Sequence, residues 1–257
     1  MLNFRNTNIS FALLLVFTLA IHITRGVPLF VYPCLLVVYS LVVFYGCYFV
    51  DSQFFLPVIC AANTTRKEIS ISFDDGPAPL YTPETLRILQ QHDVKAAFFC
   101  IGKRIAGNEK LLQQIHEDGH LVGNHSFSHD FWFDLFSTDK MQADLDQMDK
   151  ATKSAIAVTP KLFRPPYGVT NPNLARAITR GGYTPVGWSI RSMDTIKQDP
   201  AKLLEKMQQE LKPGAVYLFH DTSKVMVDML PGFIKWVKSK DYQIVRLDKM
   251  LNLKPYA

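Results

Sequence analysis

Two carboxylates stand side by side in Ser72-Phe73-Asp74-Asp75-Gly76-Pro77, and two imidazoles stand four residues apart in His125-Ser126-Phe127-Ser128-His129. Adjacent like charges repel, and a bound cation or a basic partner is the usual way such a pair is tolerated. Neighbouring side chains on an extended chain point in different directions, so one aspartate can bind a cation while the other faces a substrate. Two histidines and one carboxylate make a metal triad with open positions, the arrangement of a catalytic rather than a closed structural site. If the histidine segment is helical, the i, i+4 spacing puts both rings on one face. Each segment alone also has an ordinary reading. Asp-Asp-Gly-Pro is good turn chemistry, and in a chain with seven histidines a His-x-x-x-His pair arises by chance. His92, His116 and His120 show no partner and read as exposed or capping residues.

Three further segments carry reactive groups. In Arg164-Pro165-Pro166-Tyr167-Gly168 the prolines fix the backbone and the glycine permits an unusual turn. Such a loop can present Arg164 to a carboxylate and aim backbone N–H groups at a developing oxyanion; a plain polyproline-like turn is its ordinary reading. Asp194 follows the apolar run around Trp188, and His220 closes the run that begins at Val216. A histidine at a strand end, with an aspartate to set its tautomer and raise its pKa, is suited to general-acid work.

These groups need a scaffold that brings distant segments to one place. From residue 68 the sequence alternates short apolar runs with helical stretches. Residues 68–73, 94–100, 120–124, 183–190, 215–220 and 242–247 read as strands, and 162–166 as strand then loop. Helices are expected to open at Thr82-Pro83-Glu84 and to run over 109–118, 140–156, 173–180, 200–211 and 229–240, with Leu86, Leu89, Leu111, Leu112, Ile115, Leu145 and Met148 facing inward. About seven such alternations predict a parallel α/β sheet, closed or nearly closed into a barrel, with functional residues at the C-terminal ends of its strands. The five polar segments fall at those ends, in order.

Charge is distributed unevenly. Only Arg5 and Arg25 interrupt the apolar character of the chain before Asp51. Residues 27–50 form an uncharged stretch long enough for a membrane-spanning helix, and 9–23 form a shorter one. The expected organisation is a membrane hairpin over 1–50 (two transmembrane helices turning at Thr24-Arg25-Gly26), a connector over 51–67 that still contains apolar residues, and a catalytic domain over 68–257. A signal peptide is the alternative for the first stretch and a buried core helix for either one. Arg25 in the turn and Arg5, Arg66 and Lys67 at the base give opposing orientation signals. Net charge is +5 without a run of five or six like charges, which speaks against a nucleic-acid partner. The four cysteines form no Cys-x-x-Cys pair, so neither a structural zinc site nor a disulfide framework is indicated, and Cys100 reads as a small buried hydrophobe.

Taken in order, Ser-Phe-Asp-Asp-Gly-Pro, His-Ser-Phe-Ser-His, Arg-Pro-Pro-Tyr-Gly, the Asp194 segment and Leu218-Phe219-His220 resemble the motifs of the polysaccharide deacetylases, the NodB-homology group or carbohydrate esterase family four. The resemblance covers residues 68–247 and not the hairpin. It implies a distorted (β/α)7-type barrel, a divalent metal, most often zinc, and removal of N-acetyl groups from a peptidoglycan- or chitin-like amino-sugar glycan. Carried over by position, Asp74 is the general base, and Asp75, His125 and His129 hold the metal. Arg164 orients Asp74, and the Tyr167 N–H helps bind the oxyanion. Asp194 tunes His220, the general acid, and Leu218 lines the pocket for the acetyl methyl. Many relatives place a tryptophan after the fourth-motif aspartate; Thr195 stands there instead, which opens the question of the sugar-contact surface. The alternatives are a deacylase of the same fold acting on an O-acetyl glycan or another amide, and an inactive membrane-anchored glycan-binding barrel. The expected location is the cytoplasmic membrane, with the catalytic domain on its outer face.

Overall fold

The strand Glu68–Asp74 (β1) is buried at all seven positions, as a strand covered on both faces must be. A computed structural model describes residues 2–196 and 199–257 and places β1 at the centre of a parallel sheet. The other strands are Ala97–Cys100 (β2), Leu121–Asn124 (β3), Leu162–Phe163 (β4), Thr184–Pro185 (β5), Ile190–Arg191 (β6), Val216–His220 (β7) and Gln243–Ile244 (β8). Their order is β5-β4-β3-β2-β1-β7-β6, and β8 pairs with the first residues of β1. Every ladder is parallel. The result is a curled, incompletely closed barrel. Among the described residues no ladder joins β5 to β6.

Helices Thr82–Gln91 (α3), Glu109–Glu117 (α4), Thr138–Ile156 (α5), Pro172–Gly181 (α6), Pro200–Gln209 (α7), Lys224–Ser239 (α8) and Leu247–Leu251 (α9) cover the sheet. Their starts are written locally: Ser137, Asn171, Asp199 and Ser223 cap α5, α6, α7 and α8, and α6 and α7 carry proline in the first turn. Of the inward positions expected from sequence, Leu86, Leu89, Leu112, Ile115, Leu145 and Met148 are buried, as is Cys100, whereas Leu111 is only half-buried at the edge of the core.

Several segments differ from expectation; α8 begins at Lys224 rather than Met229, and β2 at Ala97 rather than Val94. Residues 183–190 form no single strand but two short ones, because Arg164 takes the carbonyls of Val186 and Gly187 out of the ladder by donating to both. Residues 242–247 supply two strand residues before α9 begins. The His125–His129 segment is a loop rather than a helix, with Ser126 and His129 at positive φ.

The seam between β5 and β6 is filled by the connector. Ile59 bridges Val186 in parallel and Ala61 bridges Ala215 antiparallel. Ile59 N donates to Pro185 O at 3.0 Å, Gly187 N to Ile59 O at 2.9 Å and Ala62 N to Gly214 O at 2.9 Å. Val50, Leu56 and Val58 extend the core under α5 and α6.

Ahead of the connector, Phe4–Arg25 (α1) and Val31–Tyr48 (α2) form a hairpin, both helices long and apolar enough to cross a membrane. The Phe11 and Tyr39 rings meet at 5.1 Å, and the Tyr39 hydroxyl donates to Asn8. The base of the hairpin docks on the barrel: Phe4 N donates to Phe54 O, and Thr170 donates through its amide to Cys47 O and through its hydroxyl to Gly46 O, both at 3.1 Å. Gly46 is required there, since a Cβ would overlap the Phe54 ring.

Candidate active site

Parallel strands deliver their C-terminal residues to one rim. Asp74 ends β1, Asn124 ends β3 just before His125, Arg164 follows β4, Asp194 follows β6, and His220 ends β7. Registers Asp74↔His220 and Ser72↔Leu218 set the first and last of these segments side by side. Asp74, Asp75, His125, His129, Leu218 and His220, together with Tyr167, Trp188, Arg191 and Thr195, line a cavity of about 190 Å³, with Arg164 and Asp194 behind its wall.

Asp75 Oδ1 lies 3.6 Å from His125 Nε2 and 3.4 Å from His129 Nε2. One donor atom of each residue lies within 4.8 Å of the other two. The donor chemistry fits a divalent cation. His125 Nδ1 lies 2.8 Å from the Arg164 carbonyl, which can only accept, so Nδ1 carries the proton and Nε2 keeps its lone pair. Burial, and then the neighbouring His125, holds His129 down to about 4, so it is neutral at pH 7. Burial pushes the Asp75 carboxyl up, but His125, His129, His220 and Arg104 together outweigh it and leave it below its ordinary value. The set therefore offers one carboxylate oxygen and two imidazole nitrogens, a donor set suited to a divalent cation.

Asp74 faces the same space with its Oδ2 3.8 Å from His125 Nε2, while its Oδ1 accepts from Arg164 Nη1 at 2.7 Å. Arg164 is fully buried and spends its other donors on Ser72 Oγ, Val186 O and Gly187 O, with its guanidinium 4.1 Å from the Phe99 ring centre. Opposite, Asp194 grips His220 twice: Oδ1 lies 2.7 Å from Nδ1, and Oδ2 accepts from the His220 backbone N–H at 2.8 Å. Burial pulls the His220 imidazole down, but this hydrogen bond and the charges of Asp194, Asp74 and Asp75 outweigh it and hold its pKa above the ordinary value. Leu218 presents an apolar wall, and Tyr167 leans on His129 with ring centres 4.7 Å apart. All nine residues singled out in the sequence thus converge on one cavity or its immediate support.

His120 departs from expectation. It is buried, its Nδ1 accepts from Ala96 N at 3.1 Å, and burial holds its pKa down to about 4. Other supports carry a weaker signal in the sequence. Buried Asp144 accepts from the amides of Phe127 and Ser128 and holds the histidine loop from α5. Its signal is an acid within the inward stripe Met141, Asp144, Leu145, Met148 and Thr152. Asn124 Oδ1 accepts from Ser126 N. Asp221, pushed up to about 7 by burial, accepts from Thr82 and packs where a Cβ on Gly76 would otherwise stand.

A curled parallel sheet with an acid–imidazole cluster at its strand ends defines a class, the (β/α) barrels that carry their chemistry on one rim. The description "Polysaccharide deacetylase" matches residues 61–186. Peptidoglycan-N-acetylmuramic acid deacetylase PdaA of Bacillus subtilis is 31% identical over 195 residues, 74% of this chain and 73% of that protein. Peptidoglycan-N-acetylglucosamine deacetylase PgdA of Listeria monocytogenes is 32% identical over 186 residues, 72% of this chain, which spans 39% of that protein's length. The chitin deacetylase of the fungal pathogen Colletotrichum lindemuthianum superposes with a TM-score of 0.73 at 26% identity, covering 79% of this chain and 97% of its own. The chain belongs to the polysaccharide deacetylase family.

Proposed function

We propose that this protein removes N-acetyl groups from an amino-sugar glycan, peptidoglycan- or chitin-like, in a metal-dependent hydrolysis. The observation that carries the reading is the division of labour between adjacent aspartates: Asp75 faces both imidazoles while Asp74 is held on Arg164. Asp75, His125 and His129 would hold a divalent cation such as zinc, which when bound would supply Lewis acidity to the acetamide carbonyl and the attacking water. Asp74, aimed by Arg164, takes a proton from that water as it attacks the carbonyl carbon. The Tyr167 N–H donates to the developing oxyanion. Protonated His220, oriented by Asp194, hands its proton to the departing amine. The carbon–nitrogen bond breaks, giving acetate and a free amino sugar. Leu218 bounds the space for the acetyl methyl.

The test is acetate release from an acetylated chito-oligosaccharide, alongside zinc content per chain. Asp74→Asn keeps the metal and loses on the order of 10²–10⁴ in kcat, the usual worth of a general base. The His125→Ala, His129→Ala double variant loses the metal. Full activity in the first variant, or unchanged zinc in the second, overturns the assignment. An O-acetyl glycan is the second reading, supported by Thr195 in the cavity wall where a tryptophan is common among relatives; a panel of N- and O-acetyl substrates decides. An inactive glycan-binding barrel fits poorly, since base, acid and all three metal donors are in place.

The two apolar helices support membrane anchorage, both exposing most of their surface. The catalytic domain then lies on the outer face of the cytoplasmic membrane, where cell-wall glycans are. A C-terminal reporter active only outside the cytoplasm is the expected result; a reporter active only inside reverses the orientation.

A further inference from the structure

Large apolar side chains exposed on the barrel are few, and their distribution is one-sided. Among the described residues after 49, they are Leu80, Phe131, Trp132, Leu135, Tyr167 and Ile196. Each lies on a connection that leaves the C-terminal end of a strand: β1, β3, β4 or β6. The apolar rim therefore encircles the mouth of the catalytic cavity. Scattered exposed apolar residues need no explanation, but a set gathered at one end marks a contact surface.

The hairpin base docks at the same end. Thr170, just past the Arg164–Gly168 loop, holds the last turn of α2. A groove of about 250 Å³ runs between Tyr48, Phe49 and Asp51 on one side and Tyr167, Trp188 and Arg191 on the other. Those last three residues also line the catalytic cavity, so the base of the hairpin and the site share a wall. The Arg191 guanidinium lies 5.7 Å from the Trp188 ring centre and makes no ion pair among the described residues, Asp51 included. A free guanidinium where cavity meets groove is suited to a phosphate oxygen.

We propose that the mouth of the barrel faces the bilayer that carries the hairpin, and that the acetylated amino sugar it takes is joined through a phosphate to a membrane lipid. The proposal rests on the deacetylase reading and names the substrate class of that same site. Aromatic and aliphatic rim residues settle at the headgroup boundary, the sugar reaches the cavity, and Arg191 meets the phosphate linkage.

The test uses the full chain, zinc-loaded, in lipid nanodiscs, with two substrates. One is N-acetylglucosaminyl phosphate of a polyprenol in the same discs; the other is chitotetraose in bulk solution. The expected kcat/KM for the lipid-carried sugar exceeds that for chitotetraose by about 100-fold, the scale of a few added apolar contacts and one charged one. Arg191→Gln raises KM for the lipid substrate by about tenfold, the loss of one charge-assisted contact, and Phe131→Ser with Leu135→Ser lowers the preference ratio. Equal or better cleavage of chitotetraose, or variants that affect both substrates alike, overturns the proposal and leaves the deacetylase reading standing. No acetate from either substrate by the metal-bound chain sinks both.

Discussion

Asp74 and Arg164 form an ion pair almost without water: the arginine side chain is 0% exposed and the aspartate side chain 4%. Burying two charges is costly, and the pair survives because the guanidinium also donates to Ser72 Oγ, Val186 O and Gly187 O. The same enclosure gives Asp74 a fixed direction, which a general base needs. The second buried pair, Asp194 with His220, sets a protonation state. An acid must carry its proton at working pH, and a raised pKa extends the protonated form to higher pH. Asp194→Asn removes the Asp194 charge that helps raise it and leaves at most a weaker, neutral hydrogen bond. The alkaline limb of the kcat/KM profile then moves to lower pH and kcat falls; a pH profile with an unmoved alkaline limb would assign the limb to another group. At this scale the sequence was informative, because residue type carries the chemistry: two acids, two imidazoles and an arginine at strand ends are few enough to notice. Asp144, Asn124 and Ser72 were less visible, since their work is to hold backbone and side chains in place.

Between residue and fold lies backbone conformation, where five non-glycine residues at the site adopt positive φ: Asp75 at 76°, Ser126 at 66°, His129 at 44°, Tyr167 at 59° and Met193 at 62°. Such conformations are costly and concentrate where surrounding structure imposes them for function. No residue type announces them, so the spacing of the histidine segment left its conformation open, and it is a loop pinned by Asp144. Gly168 also sits at positive φ, 75°, and a Cβ there would come within 2.6 Å of the Trp188 ring. Gly168→Ala should therefore push the Tyr167 loop and Trp188 apart. Its expected signature is a loss of kcat/KM with zinc content unchanged, plus a drop of several degrees in Tm, since the strain costs about 1–3 kcal/mol. Wild-type kinetics in that variant would mean that the loop's position does not matter for the reaction.

Across the whole molecule, the alternation of strands and helices predicted a parallel barrel, and the order of the polar segments placed the site on one rim. What periodicity does not convey is closure. The split of residues 183–190 follows from one buried arginine about twenty positions earlier competing for carbonyls, a long-range effect that local pattern leaves out. The connector likewise looked like a tether with some apolar content. In the fold, Ile59 and Ala61 stand between the two sides of the sheet as a surrogate strand.

That surrogate has a consequence for anyone who cuts the chain at Glu68 to obtain a soluble catalytic fragment. The cut strips hydrogen-bond partners from Pro185, Gly187 and Gly214 and uncovers Val186 and the apolar side of α6. Bare strand borders of this kind recruit one another. A fragment beginning at residue 68 should self-associate in size-exclusion chromatography, whereas one beginning near residue 50 should elute as a monomer in detergent. Equal monomeric behaviour of the two would show that the gap can be left unsealed.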